Sequence, residues 1–124
     1  MKTQSSDSTS IVEILTNVYF KGIYEGNTDL LSTAFYEGTF LFGDVKGQPY
    51  FKTLSLYLDG VRKRQSPKDS GLPFKGEILS IDIIRSIAVA KVRVKMYDFN
   101  YLEFLSFHKI NQKWVIVNKM IADV

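Results

Sequence analysis

Residues 101–120 read YLEFLSFHKINQKWVIVNKM, in which two apolar-rich runs flank the polar pair Asn111-Gln112. Side chains alternate between the two faces of a β-strand, so the first run predicts a strand from Tyr101 to Ile110. The second run predicts a strand from Lys113 to about Ala122. A two-residue connection makes the two strands antiparallel neighbours. This stretch therefore predicts the last hairpin of an antiparallel sheet.

The same alternation extends upstream and predicts a second hairpin ahead of the first. Strands are expected over Glu77–Ile84 and Ile87–Met96, joined by a turn at Arg85-Ser86. A turn near Asp98-Phe99 connects this hairpin to the last one. These connections are too short for crossover helices, so all four strands are expected to be antiparallel neighbours.

The first half of the chain has helical spacing instead. Ser10 and Glu13 form a capping box that predicts a first helix, which ends at Gly26. A short second helix follows Asn27, and Pro49 suits the first turn of a third. Between them, residues 39–42 predict a short strand that ends in a turn at Gly43-Asp44. The expected fold is α+β, with three N-terminal helices and a mainly antiparallel sheet.

Composition limits the chemistry of this chain of 124 residues. It has no cysteine and one histidine, which excludes disulfides and thiolate metal sites. We predict a disordered polar tail over residues 1–8, one domain over residues 9–124 and a cytoplasmic location. The net charge of +3 and the short basic run Arg62-Lys63-Arg64 fit a solvated helix end, so we expect no nucleic-acid partner. No apolar run is long enough to span a membrane.

Turn lengths determine which residues share a face of the sheet. If the three turns are two-residue loops, Glu103 and Asn118 share an inner face with apolar residues that pack on the helices. Lys119 and His108 then lie on the outer face. The outer face is too apolar for plain solvent exposure, and we therefore expect a homodimer packed through it.

The local motifs resemble the nuclear transport factor 2-like superfamily, also called the ketosteroid-isomerase-like or polyketide-cyclase-like fold. The resemblance rests on Tyr19 seven residues before Gly26, on the hairpin of residues 81–92 and on the ending of residues 104–119. Within the superfamily the chain most resembles the bacterial group labelled "putative lumazine-binding". That group typically has Asp-Tyr-Leu where this chain has Glu103-Phe104-Leu105. The resemblance implies a cone-shaped curved sheet wrapped around the helices, in a superfamily whose members have unrelated functions.

Glu103 is the main candidate for function, because a carboxylate on an apolar face needs a partner. With Tyr19 and Asn118 it would form a polar cluster in an apolar cone, which is how pockets for small ligands are built. We therefore predict a binding protein for a small apolar or aromatic ligand, with no metal and no cofactor. The candidate ligand-binding residues are Tyr19, Glu103, Asn118, Trp114, Phe107, Tyr101 and Phe51.

Two other functions stay open. One is an enzyme of isomerase, cyclase or dehydratase type, in which Glu103 moves a proton and Tyr19 steadies an oxyanion. Tyr19 has the spacing of the tyrosine that contacts the substrate oxygen in ketosteroid isomerases. The position of their general base matches Gly43, however, and Asp44 is one residue away. The other alternative is a homodimeric interaction module without a ligand.

Overall fold

The computed structural model describes residues 3–124, and side chains from residue 6 onward. The N-terminal helices are α1 (Thr3–Ile14), a π-helical segment (Leu15–Phe20), α2 (Lys21–Glu25) and α3 (Thr28–Ser32). Strands β1 (Phe35–Val45) and β2 (Gln48–Thr53) follow, and then helices α4 (Leu54–Lys63) and α5 (Pro67–Ser70). The chain ends in β3 (Phe74–Ile84), β4 (Ile87–Met96), β5 (Phe99–Ile110) and β6 (Lys113–Asp123).

The six strands form one curved sheet in the order β2-β1-β6-β5-β4-β3. All neighbours are antiparallel except β1 and β6, which are parallel. The inner face packs on the N-terminal helices, and Leu15 meets the same core as Val92 and Leu105, all fully buried. This arrangement confirms the predicted α+β cone.

The N-terminal helix begins earlier than the capping box predicted. Helix α1 starts at Thr3, so Ser10 lies inside it and most of the expected tail is helical. Residues 1 and 2 lie outside the described residues. The assignment of residues 9–124 to one domain, and the cytoplasmic location, stay predictions. Among the helices described, none is both long and apolar enough to cross a membrane.

Pro49 lies in strand β2 and does not begin a helix. Strand β2 is at the edge of the sheet, where a residue without an N–H group interrupts no ladder. Helix α4 begins at Leu54 instead, and the Thr53 hydroxyl caps it by accepting from the Leu56 amide at 3.2 Å. The predicted turn at Gly43-Asp44 is also wrong, because β1 continues to Val45.

The four-stranded half of the sheet follows the predicted order, with two β-bulges that were not predicted. Ile84 pairs with Ile87 and Ile110 with Lys113, as expected. The middle turn is at Tyr97-Asp98, one residue earlier than expected, which shifts the pairing of β4 with β5 by two residues and leaves the faces unchanged. Leu79 in β3 and Val117 in β6 are the bulged residues, each without a partner in the neighbouring strand. On one side of each bulge, the side chains that were predicted to face inward face outward, and the reverse.

Candidate functional site

The bulge at Val117 brings a lysine into the interior of the cone. Ser106 pairs with Asn118 but Phe107 pairs with Ile116, so β6 has one residue more than β5 at this point. Beyond the bulge, Lys119 faces inward, and it is only 2% exposed. The prediction of Lys119 on the outer face is therefore wrong.

Tyr19 lies in the π-helical segment and is fully buried. Its hydroxyl donates to the Glu103 Oε1 atom at 2.5 Å. π-Helical turns inside α-helices recur at functional sites, because they displace one turn of side chains from the regular helical stripe. The predicted contact between Tyr19 and Glu103 is present in the structure, and it joins the first helix to the middle of β5.

Lys119 completes a buried polar cluster around Glu103, which is itself 2% exposed. The Lys119 Nζ atom lies 3.6 Å from Glu103 Oε2 and donates to the Tyr57 hydroxyl at 3.4 Å. The ammonium also lies 4.4 Å from the centroid of the Tyr57 ring and 5.3 Å from that of Tyr19. Both carboxylate oxygens thus have a partner, as a buried charge requires.

The cluster keeps the tyrosine neutral and the lysine charged. Burial, and then the nearby Glu103 charge, hold the pKa of Tyr19 well above its ordinary value. Burial alone would lower the pKa of Lys119, but the Glu103 carboxylate and Tyr57 outweigh it and the pKa is raised. At neutral pH Tyr19 is therefore a hydrogen-bond donor and Lys119 an ammonium group.

A small cavity of about 40 Å³ adjoins this cluster. It has room for about three water molecules. Glu103 and Lys119 form its polar wall, and Arg64 at the end of α4 supplies a second cation. The remaining lining residues are apolar or aromatic: Ile23, Tyr50, Tyr57, Val94, Met96, Tyr101 and Ile121.

Three of the seven candidate ligand-binding residues contribute to this site. Glu103 and Tyr101 line the cavity, and Tyr19 contacts Glu103. The other four residues do not line it. Asn118 lies on the outer face because of the bulge, and its amide donates to the Phe40 carbonyl at 3.3 Å.

Phe51, Trp114 and Phe107 also lie away from the cavity. Phe51 is in β2, not in a helix, and it is 57% exposed on the outer face. Trp114 is buried near the start of α1, where its Nε1–H donates to Asp7 at 3.0 Å. Phe107 is a core residue with 2% exposure. None of these three rings therefore lines the cavity.

Sequence reasoning missed Lys119, Arg64 and Tyr57. The sequence predicts that Arg64 belongs to a solvated basic run, but its Cζ atom lies 5.9 Å from the centroid of the Tyr97 ring and the residue lines the cavity. Lys119 could be found only by locating the bulge. The single signal for it is the run Val115-Ile116-Val117, in which alternation is lost.

The position that matches the general base of ketosteroid isomerases has no carboxylate in this chain. Gly43 has no side chain, and a Cβ atom there would come within 1.8 Å of the Ile121 carbonyl oxygen. Asp44 is exposed and faces away from the cavity. Within the described part of the chain, no three His, Cys, Asp or Glu side chains are grouped so that they could hold a metal ion.

The outer face of the sheet has an exposed apolar row that crosses four strands. Phe51, Phe42, Met120 and Phe104 are successive cross-strand partners in β2, β1, β6 and β5. They are between 40% and 57% exposed. Two grooves of about 450 Å³ and 370 Å³ also open on this face. A larger groove, of about 580 Å³, lies between the N-terminal helices and the start of β3, where Phe20 and Phe74 line it. His108 is exposed on the same face, as predicted.

Comparison with known proteins places these features in a family. A family model described as "Putative lumazine-binding" matches residues 7–121. No curated protein matches the chain. Among solved structures, a nuclear transport factor 2-like protein of unknown function from Shewanella baltica OS155 is 23% identical, with a TM-score of 0.85. That match covers 97% of this chain and 95% of the other.

Two further structures have the same fold. A protein from Methylobacillus flagellatus KT is 26% identical, with a TM-score of 0.85 over 96% of this chain and 93% of the other. A protein from Silicibacter pomeroyi DSS-3 is 18% identical, with a TM-score of 0.86 over the whole of both chains. Both are described as nuclear transport factor 2-like proteins of unknown function. These likenesses confirm the fold that the local motifs predicted.

Proposed function

The chain belongs to the family described as putative lumazine-binding, and from that premise we propose that it binds a small molecule inside the cone. The observation that carries the proposal is the buried cluster of Tyr19, Glu103 and Lys119 beside a cavity. A core needs no ion pair for packing, since a protein in which apolar residues of similar volume replace a buried ion pair is often as stable. A few placed polar groups in an apolar cavity are typical of a ligand site.

The size of the cavity limits the ligand. Lumazine, which the family description names, is a two-ring heterocycle and is larger than a cavity of about 40 Å³. The same holds for the aromatic ligand expected from the sequence. A ligand that enters the described conformation has only about four non-hydrogen atoms, because the space accommodates about three waters.

Proton transfer by Glu103 is less well supported than binding. A general base needs an oxygen within hydrogen-bond reach of the proton that it removes. Here Oε1 accepts from Tyr19 and Oε2 faces Lys119, so both oxygens are engaged. We therefore propose binding as the function.

A titration with small probes tests this proposal. Acetate, acetamide and ethylamine differ in charge and fit the cavity, so at least one should give saturable shifts of the backbone amide signals of Glu103 and Ile121 in ¹⁵N spectra. Val94→Ile adds one methylene group to the cavity wall and should abolish these shifts. The matched control, Val89→Ile, lies on the outer face of the same strand and should leave them unchanged. Shifts that persist in Val94→Ile, or that no probe produces, would refute binding in the cone.

We also infer that the outer face binds a second copy of this chain. The row of Phe51, Phe42, Met120 and Phe104 is continuous, and the rings of Phe42 and Phe51 already contact each other at 5.1 Å between centroids. Exposed apolar surface that extends across four strands is larger than single surface residues require and is typical of an interface. A two-fold axis would pair this self-complementary row with itself.

A further inference from the structure

One of the residues that line the cavity is an arginine with an unpaired N–H donor. Arg64 is the residue at the C-terminal end of α4, and its Nε atom is buried without an acceptor among the described residues. Its Nη2 group has only a weak acceptor, the Met96 sulfur at 4.0 Å. Buried N–H donors are almost always paired, so an unpaired one in a cavity wall suggests a donor reserved for a ligand.

The guanidinium is held in position by neighbouring groups. The Tyr97 ring lies 5.9 Å from the Arg64 Cζ atom, within the range of a cation–π contact. The Tyr97 hydroxyl in turn donates to the Gln65 backbone carbonyl, which fixes the ring. Arg64 is thus oriented before any ligand arrives, which lowers the entropy lost on binding.

The cavity wall has two cationic side chains and one carboxylate, so it carries a net positive charge. Lys119 and Glu103 neutralise each other as a buried pair at 3.6 Å. Arg64 is the remaining cation, and no ion pair to it is present in residues 6–124. A ligand with one negative charge would leave the cavity neutral, whereas a dianion would leave an uncompensated charge in a partly buried site.

The phenols of the cavity add neutral donors. Tyr50 and Tyr101 both line it. Burial holds the pKa of each above its ordinary value, so both keep their hydroxyl proton at neutral pH. Hydroxyl donors of this kind stabilise an anion. The small volume and the donors together favour a compact anion.

We propose that the cavity binds a small monocarboxylate of about four non-hydrogen atoms, anchored by the Arg64 guanidinium. The edge of a guanidinium that carries Nε presents two parallel N–H groups, which match the two oxygens of a carboxylate. This inference rests on the proposed function of the cone as a binding site, and it specifies the chemical class of the ligand.

The test compares acetate with acetamide, which has the same shape and no charge, at constant ionic strength. Affinities are measured from the amide shifts of Glu103 and Ile121 in ¹⁵N spectra. Acetate should bind at least ten times more tightly than acetamide. Arg64→Gln should reduce acetate affinity to that of acetamide, and Arg62→Gln, an exposed neighbour paired with Asp59, should change neither.

The outcomes separate this inference from the proposed function. Equal binding of acetate and acetamide, or an unchanged acetate affinity in Arg64→Gln, would overturn the carboxylate inference while the cone remained a binding site. Tighter binding of inorganic phosphate than of acetate would overturn it as well. Failure of every probe to bind would overturn the proposed function and the inference together. If Arg64→Gln does not fold by circular dichroism, Arg64→Lys provides the comparison, since lysine keeps the charge but lacks the paired donors.

Discussion

Lys119→Met should lower the free energy of unfolding by about 3–5 kcal/mol, the largest effect expected for a single substitution in this chain. Methionine fills a similar volume but leaves the Glu103 carboxylate, 2% exposed, without its counter-charge. The loss should be measured by urea denaturation at neutral pH, with both proteins giving the same dependence on urea concentration.

The double variant Glu103→Leu/Lys119→Met should recover most of that loss, because it removes both buried charges together. Lys113→Met is the matched control. Lys113 is exposed on the same strand, so its substitution should change the stability by no more than about 0.5 kcal/mol. If Lys119→Met were as mild as Lys113→Met, the two charges would not form a buried pair.

Phe104→Glu should convert a dimer into a monomer. Phe104 lies within the exposed apolar row, and a dimer that buries this row would have to desolvate the new carboxylate without a partner. We expect the dissociation constant of the dimer to rise by about 100-fold or more. Sedimentation velocity should give twice the 14.2 kDa chain mass for the wild type and the chain mass for the variant.

Leu56→Glu provides the control for this substitution. Leu56 is as exposed as the residues of the apolar row, at 57%, but it lies on α4 and not on the sheet. Its substitution should leave the dimer intact. A wild-type protein that sediments as a monomer at tens of micromolar, or a Phe104→Glu protein that stays dimeric, would rule out the outer face as the interface.

Alternation and turn chemistry were sufficient to predict most of the sheet. The turns at Arg85-Ser86 and Asn111-Gln112 set the partners of β3 with β4 and of β5 with β6 at the ends of the hairpins. The contact between Tyr19 and Glu103 could also be predicted, because an isolated carboxylate on an apolar face requires a donor. These features depend on the local sequence and on the rule that a buried polar group needs a hydrogen-bond partner.

The features that were mispredicted depend on the three-dimensional curvature of the sheet. An uninterrupted register places Asn118 beside Glu103, but the extra residue Val117 replaces it with Lys119. A bulge accommodates bending of a strand against its neighbours, so its position depends on contacts between strands, and the local sequence marks it only by the lost alternation at Val115-Ile116-Val117. Pro49 was similarly ambiguous, because proline suits both a helix start and an edge strand.

The bulge at Val117 turns Lys119 inward, against Glu103. The most direct test is the pKa of the Lys119 ammonium, followed through its side-chain ¹⁵N signal by nuclear magnetic resonance. In the wild type the pKa should lie above the ordinary lysine value of about 10.4, because Glu103 stabilises the charge. In Glu103→Gln it should fall below that value, because burial then acts without a counter-charge. Titration of Lys119 with the exposed lysines in both proteins would show instead that its side chain faces solvent and forms no buried pair with Glu103.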